Sequence, residues 1–188
     1  MTLFEMLFGL TAVILGLALT HIAASMQKLL HAGRRVHWAP EPVLLTAIVL
    51  LVIVTVWINQ WSTRDVDTIT TMQALLQVLK MLAVYFAAAG VLPELAGSDE
   101  RVDLLEHYDR TRWLNYSALI VGLILFLIYS AIQLGDVPDT VGAVLGWLLM
   151  PAIYLSLIFV RWRLYNIAAL IFVLLFYSYQ VWPMELTG

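Results

Sequence analysis

Residues 70–86 read TTMQALLQVLKMLAVYF, an apolar run fit for the inside of a membrane helix except for the lysine at its centre. On a helix Gln73, Gln77 and Lys80 stand at i, i+4 and i+7, so they make one polar stripe. A lysine at the bilayer centre is disfavoured by about 2.5–3.5 kcal/mol, which turns such a stripe toward protein or water and away from lipid. Two readings of Lys80 stay open at this level. It is the floor of a polar cavity that attracts an anion or exchanges a proton, or it lies about 9 Å below the surface and snorkels to the interface.

The rest of the chain places this run in a membrane. Of 188 residues 62% are apolar and only 12% charged, with a mean hydropathy of +0.90, whereas about a quarter of an ordinary soluble domain is charged. A span needs about 20 mostly apolar residues. Six runs qualify, at 3–26, 42–62, 71–93, 113–134, 140–160 and 164–183. All are expected to be helices, because backbone in hydrocarbon must bond within its own segment and alternating barrel strands are not present. The expected fold is therefore an all-α polytopic membrane protein, a single six-helix domain. The first run is too long for the core of a signal peptide and begins with Glu5 in place of a basic region, so it reads as a retained span.

Orientation follows from lysine and arginine counted loop by loop. Lys28, Arg34, Arg35, Arg101, Arg110, Arg112, Arg161 and Arg163 fall on one side, and Arg64 alone on the other. Both termini are then expected outside. Trp38, Trp113 and Trp162 mark the inner boundary, and Trp57, Trp61 and Trp182 the outer one. Gly16, Leu17, Leu19, Ile22 and Gln27 align with Gly122, Leu123, Leu125, Ile128 and Gln133, but leucine-rich helices match this way by chance and the other spans do not align, so an inverted repeat stays open.

Glu5 and Asp136 are the carboxylates nearest to Lys80 in this arrangement, both at span ends. Asn59, Gln60, Gln133, Tyr129, Tyr177, Tyr179 and Gln180 occupy the same outer half and are candidates to line a shared cavity. Span one shows Glu5, Gly9, Ala12, Gly16 and Thr20 at helical spacing, and span five shows Gly142 and Gly146, both readable as packing faces within a chain or between copies. Pro151 frees the carbonyl of Trp147 and predicts a kink in span five, which serves as a hinge or only as a shape.

On the inner side, DERVDLLEHYDRTRW (99–113) is expected to form a short helix with Asp103, His107 and Arg110 on one face, near His31, Arg34, Arg35 and His37. Arg34, Arg35, Asp103, His107 and Arg112 are candidates for an anionic ligand or lipid headgroup, with ordinary solvated charge as the alternative. A metal fits poorly, since no two histidines have helical ligand spacing. His21, inside span one, is expected to face the bundle as a proton relay or as a neutral hydrogen-bonding group.

GLALTHI (16–22), VLPEL (91–95) and DLLEHYDRTRW (103–113) together resemble a family of small, uncharacterised multi-span bacterial inner-membrane proteins. The resemblance implies a bacterial inner membrane and adds no activity, cofactor or catalytic residue. Enzyme chemistry lacks parts: there is no cysteine, no nucleophile elbow and no phosphate loop, and one histidine within a span cannot ligate haem as a pair. The expectations are no enzyme, no cofactor and no nucleic-acid partner. What remains is a channel or transporter for a small solute or ion, associated as a homo-oligomer, with a non-transporting sensor or assembly subunit that binds lipid or a partner protein as the alternative.

Overall fold

The computed structural model describes residues 3–61, 70–94, 101–134 and 141–181. Six helices run through it: α1 (Leu3–Ala32), α2 (Pro40–Trp61), α3 (Thr71–Val91), α4 (Leu104–Leu134), α5 (Val141–Phe159) and α6 (Arg163–Val181). Each coincides with one expected span, because each is an apolar run bounded by polar or proline-bearing residues. Five of them, α1 to α4 and α6, are long and apolar enough to cross a membrane. In α5 the described apolar stretch is the shorter Val144–Phe159.

Two helices exceed their spans for a local reason. α1 continues to Ala32, where Gly33 at φ 55° takes the left-handed conformation that closes a helix and leads into a short 3-10 turn, Gly33–Arg35. α4 starts at Leu104, so the expected short surface helix is the first part of a single 31-residue rod. Its N-cap is Asp103, whose Oδ1 accepts from the backbone N–H of Leu105 at 2.8 Å and of Glu106 at 3.2 Å. Asp103 therefore does not share a helical face with His107. It belongs to β2 (Val102–Asp103), which pairs in parallel with β1 (Val36–His37), Val36 opposite Val102 and His37 opposite Asp103. His37 Nδ1 and Asp103 Oδ2, 3.1 Å apart, complete this clasp between two distant loops.

The helices alternate in direction, and side-chain bonds gather one end of the bundle. Arg163 Nε donates to Glu41 Oε1 at 2.7 Å, joining the starts of α6 and α2. Arg112 of α4 reaches the end of α5, donating to the carbonyls of Leu157 and Val160. That end carries the eight basic residues that the loop count assigned to one side.

The core runs through Leu15, Ile22 and Leu29 of α1, Leu45, Ile48 and Ile53 of α2, Met81, Val84 and Ala88 of α3, Tyr116 and Leu119 of α4, Tyr154 and Leu157 of α5 and Leu170 and Val173 of α6. In lipid the tails are as apolar as leucine, so close packing and interhelical hydrogen bonds hold such helices together. One such bond is Thr11 Oγ1 to Gln60 Oε1, 2.7 Å. The glycine face of α1 takes no part in this core: a Cβ added at Gly9 or Gly16 would meet nothing within 4 Å. Among the described residues nothing covers that expected packing face at Gly9 and Gly16, because α1 buries the neighbouring row Thr11, Leu15, Ala18, Ile22, Ser25 and Leu29. The side chains at positions 142 and 133 lie outside the described residues.

Candidate functional site

α3 is the helix that positions Lys80. It begins at a reciprocal cap in which Gln73 N–H donates to Thr70 Oγ1 at 3.3 Å while Thr70 N–H donates to Gln73 Oε1 at 2.7 Å. From there Gln73, Gln77 and Lys80 descend along one face, and all three are buried. The stripe is therefore turned inward, as its spacing predicts. Lys80 is 5% exposed, its side chain lying among neighbouring helices.

The three members of the stripe separate in what they meet. Gln73 serves the cap. Gln77 Oε1 is buried without a hydrogen bond. Of the three, Lys80 alone opens onto a cavity of about 240 Å³ lined by residues of α2, α3, α4, α5 and α6, in the half of the bundle away from the basic end. Its Nζ lies 4.8 Å from the centroid of the Tyr129 ring and 5.4 Å from that of Phe126. Two ring faces supply the negative quadrupole that a desolvated ammonium favours. Among the described residues no carboxylate comes within ion-pair distance of Lys80, in keeping with the scarcity of acidic residues inside the spans.

Polar atoms reach the cavity from two other helices. Thr55 and Asn59 come from successive turns of α2, and Tyr177 and Gln180 from the last turns of α6. The remaining wall is apolar and aromatic, with Phe126, Trp147, Met150 and Phe176 prominent. Gly122 and Gly146 lie in its wall on the α4 and α5 sides; a Cβ at Gly146 would meet nothing within 4 Å, whereas one at Gly122 would touch Ala83 of α3. Pro151 sits inside α5 one turn beyond Trp147 and has no N–H to offer that residue's carbonyl, while the Trp147 ring lines the cavity.

The outer-half polar residues divide accordingly. Asn59, Tyr177 and Gln180 line the cavity, Tyr129 backs Lys80, Gln60 is bonded to Thr11, and Tyr179 points out, 80% exposed. Glu5 is exposed at the far end of α1, which contributes no lining residue. His21 is also elsewhere. Its Nδ1 lies 3.7 Å from Glu94 Oε1 and its Nε2 is buried without a hydrogen bond, so two stretches far apart in sequence, GLALTHI and VLPEL, meet through this pair.

The inner-face candidates do not form one site. Arg34 and Arg35 are exposed on the 3-10 turn, and Asp103 caps α4 and pairs with His37. His107 turns inward, its Nε2 3.1 Å from the carbonyl oxygen of Gly90. Arg112 departs furthest from the headgroup role expected of it. It is 4% exposed, its guanidinium capping α5 and lying 5.6 Å from the Tyr108 ring centroid. A guanidinium carries five donors in a fork, and the last carbonyls of α5 have no partner within their own helix.

Sequence reasoning missed several buried polar groups. Glu41, 1% exposed, sits between two prolines just outside the expected span 42–62, yet it opens α2 and holds Arg163. Asn115 Nδ2 donates to Gly90 O. A row of tyrosines also crosses the bundle. Tyr108 and Tyr116 share a hydrogen bond of 2.8 Å, Tyr116 stacks on Tyr154 with centroids 6.0 Å apart, and Tyr154 donates to Tyr177 at the cavity at 3.3 Å. Tyr108, Tyr116 and Tyr154 recur at no single period, so no local signal announces the row. Comparison with protein-family models, with curated proteins and with solved structures finds no match to this chain.

Proposed function

We propose that this chain is a membrane transport protein that binds a small anion at Lys80 on its way through the outer half of the bundle. The observation that carries the reading is the buried amine of Lys80 at the wall of a 240 Å³ cavity, with no carboxylate beside it among the described residues. A fixed cation at that depth is unfavourable unless something compensates it, and an intramembrane ionisable group is by default a candidate for a substrate path. Packing alone is served equally well by leucine or methionine.

The proposal includes the bacterial inner membrane, with both termini outside and the basic end inside, supported by the clustering of the eight basic residues. It includes a homo-oligomer, for which the uncovered small-residue face of α1 offers a surface. It involves no enzymatic step, resident cofactor or nucleic acid. Exposed Arg34 is then available to anionic headgroups.

The test is flux in liposomes that contain the purified protein. Uptake of chloride, nitrate or a small carboxylate above the empty-liposome rate, lost at least tenfold in Lys80→Met, supports transport. Background flux in both proteins would refute it and leave the sensor or assembly-subunit reading, which a co-purifying partner would then support.

A further inference from the structure

The cavity around Lys80 has a chemistry more selective than a simple anion path. Resting on the reading above, we propose that its ligand is a small aromatic monocarboxylate, held by its carboxylate at Lys80 and by its ring between the aromatic walls.

Charge sets the first limit. Among the described residues that line the cavity Lys80 is the one cation, so a single negative charge is neutralised by it and a second would lack a counter-charge from these residues against a largely apolar wall. Phosphate, sulfate and dicarboxylates are disfavoured on that ground, and cations by the amine itself.

The walls set the second. Beyond the polar side chains of Thr55, Asn59, Tyr177 and Gln180, the wall is Val52, Val56, Leu123, Phe126, Trp147 and Phe176, which reward the burial of carbon more than they replace an ion's water shell. Ring edges and faces supplied from α4, α5 and α6 favour an aromatic body, which packs against them in offset or edge-to-face fashion. Volume sets the third. At about 30 Å³ per water, the 240 Å³ of the cavity corresponds to about eight waters, which matches a one-ring acid better than a long acyl chain.

The experiment uses the full chain in nanodiscs, titrated calorimetrically with benzoate, benzylammonium and palmitate, beside the variants Lys80→Met and Gly146→Leu. Gly146→Leu adds bulk at a lining residue whose Cβ position has open space around it, and leaves the amine in place. Saturable benzoate binding, weakened at least tenfold in both variants, supports the assignment. Benzylammonium binding as tightly as benzoate, palmitate binding in its place, or benzoate affinity unchanged in Gly146→Leu would each overturn it. The outcome is separable from transport itself. Lys80-dependent chloride flux with no benzoate binding sinks the ligand class alone, whereas benzoate binding lost in both variants without any flux upholds the ligand and sinks transport.

Discussion

Asn115 on α4 donates its side-chain amide to the backbone carbonyl of Gly90 on α3, 3.2 Å away, and the two helices approach this closely because residue 90 has no side chain. A Cβ at Gly90 would collide with Asn115 Oδ1. Asn115 can yield only by rotating away from both Gly90 O and Thr111 Oγ1, its partners at 3.2 Å. Gly90→Ala is therefore expected to destabilise the bundle by about 1–3 kcal/mol, the usual range for overpacking. Reversible unfolding in mixed micelles reads the difference, and a variant as stable as the parent would contradict this packing.

Arg112 closes α5, so its loss leaves the carbonyls of Leu157 and Val160 without donors. Removing a charged donor from buried acceptors costs about 1.5–3 kcal/mol. Arg112→Lys should rescue little, because a point ammonium cannot span two carbonyls as the planar fork does. Equal stability of the lysine variant and the parent would show that charge alone is what the end of α5 requires.

Glu41 and Arg163 form an asymmetric pair, the carboxylate buried and the guanidinium side chain 57% exposed. Removing the arginine strands a charge, and breaking a buried pair in this way is destabilising by about 3–5 kcal/mol. Glu41→Gln keeps the shape and removes the charge, so it should be milder. The order Arg163→Ala worse than Glu41→Gln in thermal unfolding is the expected result, and the reverse order would contradict it.

The clasp between β1 and β2 should loosen in acid. The N–H of Glu106 holds the Asp103 carboxyl below its ordinary value, with further help from Leu105 N–H and from His37. A carboxylate with a lowered folded-state pKa stabilises the fold above its unfolded value, about 3.9, and that contribution vanishes as pH falls through the folded value. Amide protection at Leu105 and Glu106 is therefore expected to be flat through neutral pH and to decline below about pH 4. Protection in Asp103→Ala should be low and independent of pH throughout, and a decline identical to the parent's would remove Asp103 from the account.

Sidedness can be read without background, since the chain has no cysteine. Arg34→Cys and Glu5→Cys are both exposed positions at opposite ends of α1. In spheroplasts a membrane-impermeant maleimide should label position 5 directly and position 34 only after lysis. The opposite pattern would reverse the proposed orientation and place the Lys80 cavity in the inner half.

The sequence by itself determined the six helices. Each is a long apolar run of the kind that satisfies its own backbone as a helix, and such runs are legible one at a time. It also determined that Gln73, Gln77 and Lys80 share a face, because helical spacing is a local property. What those residues touch was settled by the tertiary structure. The stripe could not say that Lys80 alone meets a cavity, that Gln73 caps its helix, or that Tyr129 and Phe126 of α4 shelter the amine. Arg112 read as surface charge until α5 ended beside it, and Glu41 read as a residue just outside the second span until Arg163, 122 positions away, closed over it. Periodicity reports which way a side chain leaves its own helix. Its partner depends on the rotation and depth of a neighbouring helix, and the residues that set those lie far off in the chain.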